Sequence, residues 1–303
     1  MANTRVLVRR RKAVRNTRKI TKTMERISTA KLAKAQNAAV AARPYARMLK
    51  EIAGKVAAAA GEVKHPLLEV HEPAKAALVI VLTSDRGLCG AFNSNVIKQA
   101  RTLIAELQGQ GRQLQFIVQG KKGIGAFKFL KLPIAERLIG VSDKPTYARA
   151  AAIADKLIAA FAKHELDEVY LVSSAFKVGG QQLPKQEKIL PLANVASEPR
   201  ASASGNDRAL TAAARKQTTE YLFHPDPQAL LSQVLPQMVK MTIFAAMLEN
   251  TASEHAARRV AMKNATDSAD EMIKYLTRAY NRARQGKITS EIAEIVGGAN
   301  ALE

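Results

Sequence analysis

Residues 84–90, Ser-Asp-Arg-Gly-Leu-Cys-Gly, hold the types best able to do chemistry. They follow an unbroken apolar run at 76–83 that reads as a strand buried on both faces, and α/β folds bind ligands at the C-terminal ends of such strands. Two glycines ahead of a helix could cradle a phosphate, and Cys89 could act as a nucleophile. The rest of the chain supplies no matching machinery. Neither GxGxxG nor GxxxxGK[ST] occurs, and Gly120-Lys121-Lys122-Gly123-Ile124-Gly125 has the wrong spacing. The histidines (His65, His71, His164, His224, His255) show no HExxH or paired metal spacing, and none is an obvious base for Cys89. Asp267, Asp270 and Glu271 stand among bases in a helical stretch and read as a solvated face. The expectation is a structural turn at 84–90, with no catalytic residue, no metal and no cofactor.

A single cysteine excludes an internal disulfide and Cys-rich zinc frameworks. Residues 1–12 are basic from Arg5 onward without the apolar core of a secretory signal, and no run of 18 apolar residues appears. The net charge of +21 is concentrated: residues 1–50 hold 15 Lys and Arg against Glu25 alone, whereas residues 226–303 hold nine bases and nine acids. One N-terminal element must therefore meet something acidic, whether nucleic acid, a membrane surface or an acidic protein.

The elements that must position these residues come in three blocks. Residues 4–60 read as one helix, interrupted only by Pro44 and Gly54, with a kink expected at Pro44. A heptad stripe runs through Ile20, Met24, Ile27, Lys31, Lys34, Ala38, Ala41, Tyr45, Met48 and Ile52. A second helix starts at Asp226-Pro227, an N-cap followed by proline at the first helical position, passes Pro236 and stops at Gly297-Gly298. At 1.5 Å per residue these helices would be roughly 85 and 105 Å long, too long to fold around one core. Between them, strands at 76–83, 114–119, 168–174 and 187–192 alternate with helices at 93–107, 123–130 and 147–163, which implies a mostly parallel sheet. A Ser/Ala/Gly-rich stretch at 197–219 reads as a mobile loop. The fold class expected is a Rossmann-like α/β head inserted between two long terminal helices that form an antiparallel coiled coil. Its blocks are 1–60 (shaft helix), 74–195 (head), 196–225 (connection) and 226–303 (shaft helix).

Three segments carry a resemblance: residues 15–25 (RNTRKITKTME) continuing through Ser28-Thr29-Ala30-Lys31-Leu32; residues 83–90 (TSDRGLCG); and residues 253–267 (SEHAARRVAMKNATD) with Tyr280-Asn281-Arg282-Ala283-Arg284-Gln285, 288–291 (ITSE) and 294–299 (EIVGGA). Together they resemble the gamma subunits of rotary F-type ATP synthases, over essentially the whole chain. The resemblance implies a non-catalytic rotor shaft, one copy per complex, inside a ring of alpha and beta subunits. Its head would sit on the c-ring beside epsilon, at the cytoplasmic face of a bacterial inner membrane, with no nucleic acid and no membrane contact of its own. It implies ring contacts at Met24, Arg258, Gln285, Thr289 and Glu294, and foot contacts to the c-ring and epsilon at Tyr221 and Phe223. The chain departs from the family in its dense bases at 9–12, in the long loop at 197–219 and in lacking a chloroplast-type cysteine pair. Ile288, Ile292 and Ile295 form an apolar face on a C-terminal overhang of roughly 20–25 Å. Two rival readings are a nucleic-acid-binding coiled coil and an α/β enzyme using Cys89.

Overall fold

The run Ala-Ala-Leu-Val-Ile-Val-Leu has no polar face, so it suits only a strand covered on both sides. In a computed structural model, which describes residues 4–60, 65–176, 182–192 and 226–300, that run is the central strand β1 (Ala76–Leu82). It pairs in parallel with β2 (Gln113–Gln119) on one side and β4 (Glu168–Phe176) on the other. A three-residue parallel strand, β3 (Glu136–Leu138), lies beyond β2, and β5 (Gln182–Leu190) is antiparallel to β4, giving the order β3-β2-β1-β4-β5. The sequence reading omitted β3, which is too short to show a period of two. It also began the last strand at 187, five residues late, because Pro184 and two lysines mask an edge strand.

Five helices complete the order: α1 (Thr4–Ala60), α2 (Phe92–Gly109), α3 (Lys121–Phe129), α4 (Tyr147–Ala162) and α5 (Pro227–Asn300). Pro44 lies inside α1 and Pro236 inside α5, and neither divides its helix. The Leu230 N–H donates to the Asp226 carbonyl (3.0 Å), so α5 starts at the Asp-Pro signal. It does not stop at Gly297-Gly298 as expected but continues to Asn300. A glycine costs a helix interior only about 1 kcal/mol, too little to end it unaided.

The chain divides into two compact units, and each long helix contributes to both. In the unit formed by residues 32–87 and 91–254, the two faces of the sheet have separate cores. Ala77, Val79 and Val81 pack with Val96, Leu103 and Phe127 of α2 and α3. On the opposite face, Leu78, Ile80 and Leu82 pack with α4 and with Leu231, Leu235, Val239, Ile243 and Met247, a ridge of α5 repeating every four residues. By length and composition, the stretch Gln228–Gly297 is apolar enough to cross a membrane, which the sequence reading had not expected. Its apolar ridge, however, is spent on this core. At the N-terminal end of the sheet, the Asp167 carboxylate accepts hydrogen bonds from the N–H groups of Lys75 (2.6 Å) and Ala76 (2.8 Å) and pairs with His71 Nδ1 (3.0 Å).

In the unit formed by the first part of α1, residues 88–90 and the part of α5 from His255 on, the helices run antiparallel. Thr21 meets Thr266 at 2.8 Å, Arg18 pairs with Asp270, and the Arg11 guanidinium lies 5.0 Å from the Tyr280 ring centre. Asp270, half-exposed, is thus also an interhelical partner. The buried α5 positions Met262, Thr266, Ala269 and Leu276 follow the heptad spacing of a seam.

The seam of α1 is not the stripe read from the sequence. Thr21, Ser28, Ala35, Ala42, Leu49 and Val56 are buried at strict intervals of seven, with Leu32, Ala39 and Ala53 between them. The large residues of the expected stripe point outward instead: Ile20 is 60% exposed and Met48 59%, and Ile27, Tyr45 and Ile52 are also exposed. Two heptad stripes lie side by side on this helix, and the one with small residues and hydroxyls allows the closer approach.

Two outcomes follow for stability. Gly120 has φ +92°, and a Cβ there would stand 2.5 Å from the Thr83 carbonyl oxygen, whereas one on Gly125 would meet nothing within 4 Å. In denaturant titrations Gly120→Ala loses about 3 kcal/mol or more, while Gly125→Ala gains about 0.5–1 kcal/mol. Burial alone would raise the Asp167 carboxyl, but the Ala76 and Lys75 amides and the His71 ring outweigh it and hold the pKa below its ordinary 3.8. Asp167→Asn therefore costs about 1–2 kcal/mol at pH 7. That deficit relative to the unsubstituted chain shrinks as the pH falls below the ordinary value and vanishes once the folded carboxyl protonates, which urea midpoints measured across pH 2–7 will read.

Candidate functional site

In a sheet of this order the ligand crevice opens where connections diverge, between the C-terminal ends of β1 and β4. Phosphate binding at the C-terminal end of the neighbouring strand β2 would need free N–H groups at the N-terminus of α3. At the start of α3 they are spent. The Lys121 N–H donates to Asp85 Oδ1 (3.2 Å), the Lys122 N–H to the Ser84 carbonyl (3.2 Å) and the Gly123 N–H to Thr83 Oγ1 (2.9 Å). Asp85 also accepts from the Gly140 N–H (3.0 Å) and the Ser142 hydroxyl (3.0 Å), so its carboxylate sits where a bound anion would. Ser84 is turned inward, donating from Oγ to the Arg86 carbonyl (2.6 Å) and from its N–H to Asn93 Oδ1 (3.0 Å).

The crevice itself is filled by α5. β1 ends at Leu82, which leaves the edge of β4 uncovered at Ser174. There the Ser174 N–H donates to Asn250 Oδ1 (3.1 Å) and the Ser174 carbonyl accepts from the Ser253 hydroxyl (3.0 Å). Beside them the Thr251 hydroxyl donates to the Ser142 carbonyl (2.8 Å). Three polar residues of one helical turn thus replace the missing strand. Asn250 and Thr251 were not singled out from the sequence, and Ser253 was named only as the first residue of a family-like segment; their signal was a cluster of short polar side chains in an otherwise apolar helical stretch. Cys89 is buried, and no group of three or more potential metal ligands occurs among the described residues. Residues 84–90 form a structural loop.

The residues expected to touch partners are placed unevenly. Met24 is half-buried on α1, and Gln285, Thr289 and Glu294 are exposed on α5. The Thr289 hydroxyl donates back to the Gln285 carbonyl (3.0 Å), and the Ser290 hydroxyl donates to Glu294 Oε1 (3.3 Å). Arg258 is not on that open stretch: it is buried, with Nη1 3.2 Å from His255 Nδ1. Tyr221, Phe223 and the 197–219 stretch lie outside the described residues. Two surfaces stand out beyond these positions. One is the exposed row Ile20, Ile27, Tyr45, Met48 and Ile52, which the sequence showed as a stripe but with the wrong destination. The other is a groove of about 1270 Å³ between α1 and α5, whose charged lining is Arg5, Arg10, Arg278, Arg282 and Lys287, with no carboxylate. At the end of α5, Ile288, Ile292, Ile295 and Val296 are all exposed, Ile295 at 72%.

The sequence model of the ATP synthase family matches residues 3–302. The ATP synthase gamma chain of Pelotomaculum thermopropionicum is 44% identical over 303 residues, and that of Leptospira biflexa 39% identical over 302, each alignment covering 100% of both chains. Among solved structures, a chain of the Euglena gracilis mitochondrial ATP synthase rotor superposes with a TM-score of 0.62 at 19% identity, over 94% of this chain and 98% of that one. A chain of the Tetrahymena thermophila mitochondrial ATP synthase central stalk and c-ring does so with 0.59 at 20% identity, over 81% and 99%. The family match along almost the whole chain, the full-length relatives and a ligand crevice filled from within agree: the chain belongs to the ATP synthase gamma chain family.

Proposed function

We propose that this chain is the central shaft of a rotary ATP synthase, turned by an ion-driven c-ring and acting on nucleotide sites that belong to beta subunits of a surrounding ring. The observation that carries the reading is the inverted seam of α1. Its small and hydroxyl residues face inward, while Ile20, Ile27, Tyr45, Met48 and Ile52 face out. A soluble helix with its largest apolar side chains outside is a liability unless another surface covers them. An enclosing ring does so. Met24, Gln285, Thr289 and Glu294 are then ring contacts, with buried Arg258 supporting them from within. Tyr221 and Phe223 belong to the foot, beside epsilon and the c-ring.

The exposed tip of α5 serves as a bearing in the bore of that ring, where Ile288, Ile292 and Ile295 slide on an apolar wall. The all-cationic groove between α1 and α5 faces acidic loops of the ring, and complementary charge guides such contacts. Assembly attaches the complex to the cytoplasmic face of a bacterial inner membrane, with one shaft per complex. Co-expression with alpha and beta subunits tests the reading: a stable assembly with ATPase activity is expected, and recovery of this chain alone, unbound, overturns it.

Two outcomes follow. The isolated chain neither binds nor hydrolyses ATP, because the N–H groups at the head of α3 are already satisfied by Asp85, Ser84 and Thr83. Calorimetry with MgATP reads this, and stoichiometric tight binding would contradict it. Arg9→Glu combined with Arg10→Glu lowers the yield or coupling of the assembled complex severalfold, whereas Lys274→Glu leaves both nearly unchanged. Single exposed contacts are worth only about 0–1 kcal/mol, so the paired change is required. Comparing proton pumping per ATP hydrolysed in the two variants decides the matter.

A further inference from the structure

In the unit that contains the first part of α1 and α5 from His255 on, the buried positions of α1 are not apolar. Thr21 is 8% exposed and Ser28 2%, while Ile20 and Ile27 beside them face out. Thr21 Oγ1 meets Thr266 Oγ1 across the seam at 2.8 Å, and each hydroxyl also lies within reach of a carbonyl of its own helix, Arg18 for Thr21 and Met262 for Thr266. Two hydroxyl protons cannot fill three contacts at once, so one threonine donates across the seam and the other to a carbonyl of its own helix; only with the two face to face does a hydrogen bond join the helices here. One turn away, Arg18 pairs with Asp270.

The apolar part of this seam discriminates poorly. Ala269 offers little shape, and α1 presents no large apolar side chain at its buried positions Thr21 and Ser28 for Met262 or Leu276 to lock against. A buried polar group at a seam position is known to fix register at a cost in stability. We infer that the Thr21–Thr266 pair, backed by Arg18–Asp270, is a register key: these residues hold the two helices at one sliding alignment and contribute little cohesion. Its consequence for coupling rests on the shaft reading, because a slide would move Gln285 and Thr289 relative to Met24.

Disulfide trapping in the full-length chain tests the key without any partner. With Thr21 opposite Thr266, one heptad further along sets Val14 opposite Ile273. Val14→Cys with Ile273→Cys therefore reports the native alignment, and Val14→Cys with Ala269→Cys a slipped one. In the threonine background the native disulfide should exceed the slipped one at least about tenfold. Thr21→Val with Thr266→Val should reduce that ratio about tenfold while leaving the melting temperature unchanged or higher, and Thr21→Ser with Thr266→Ser should restore it. Asp270→Asn, at the half-exposed flanking pair, should lower the ratio even if the valine variant fails to fold. A ratio unchanged in the variants that fold, or a serine variant that behaves like the valine one, overturns the inference. In the reassembled complex the valine variant should pump fewer ions per ATP. If trapping changes as expected and pumping does not, the shaft reading fails and the key stands.

Discussion

Everything distinctive about this chain depends on how close two long helices can come. A seam of alanine, serine and threonine lets α1 approach its neighbours closely, but it buries little apolar surface per turn. In the unit that contains the first part of α1 and α5 from His255 on, the seam positions of α1 that are most buried are Thr21 and Ser28. At about 25 cal/mol per Å² of apolar area, such a seam is a weak adhesive. Further along α1 the buried face also holds Leu32, Leu49 and Val56, while Ile20, Ile27, Met48 and Ile52 are on the outside, available to whatever surrounds the helix. The arrangement suits a helix whose exposed apolar side chains are covered by a partner.

The same helix that supplies one side of that seam also closes the head. α5 inserts a ridge of Leu231, Leu235, Val239, Ile243 and Met247 into the core under β1, then presents Asn250, Thr251 and Ser253 to the open edge of β4 and the Ser142 carbonyl. An α/β sheet ordinarily keeps this crevice for a ligand. Here the anion seat at α3 is taken by Asp85 and the crevice between β1 and β4 by α5. The hydrogen bonds from α5 tie β4 and the connection after β3 to one helix.

Charge supplies a second kind of incompleteness. Fifteen cations stand against one acid in the first 50 residues. Part of this set converges on a groove that holds no carboxylate, together with cations from α5. Lys287 is paired with Glu291, yet like charges brought together in one groove favour an acidic neighbour. Apolar row, apolar tip and basic groove all indicate a molecule finished by assembly.

The sequence by itself determined the element order, because its signals are local. The unbroken apolar run at 76–82 defines a doubly covered strand, and Asp226-Pro227 opens a helix. The family likeness rested on short ungapped segments, equally local. What only the tertiary structure decided is which of two adjacent heptad stripes on α1 is the seam. Hydrophobicity favours Ile20, Ile27, Met48 and Ile52, and packing chose Thr21, Ser28, Ala35 and Ala42, because interhelical distance is a property of the pair and not of either helix. β3 likewise exists only through its pairing with β2. The roles of Asp85 and Ser253 depend on chain segments far away in sequence, and Arg258, a surface contact by likeness, is buried because the helix around it is enclosed on all sides at residues 250–258.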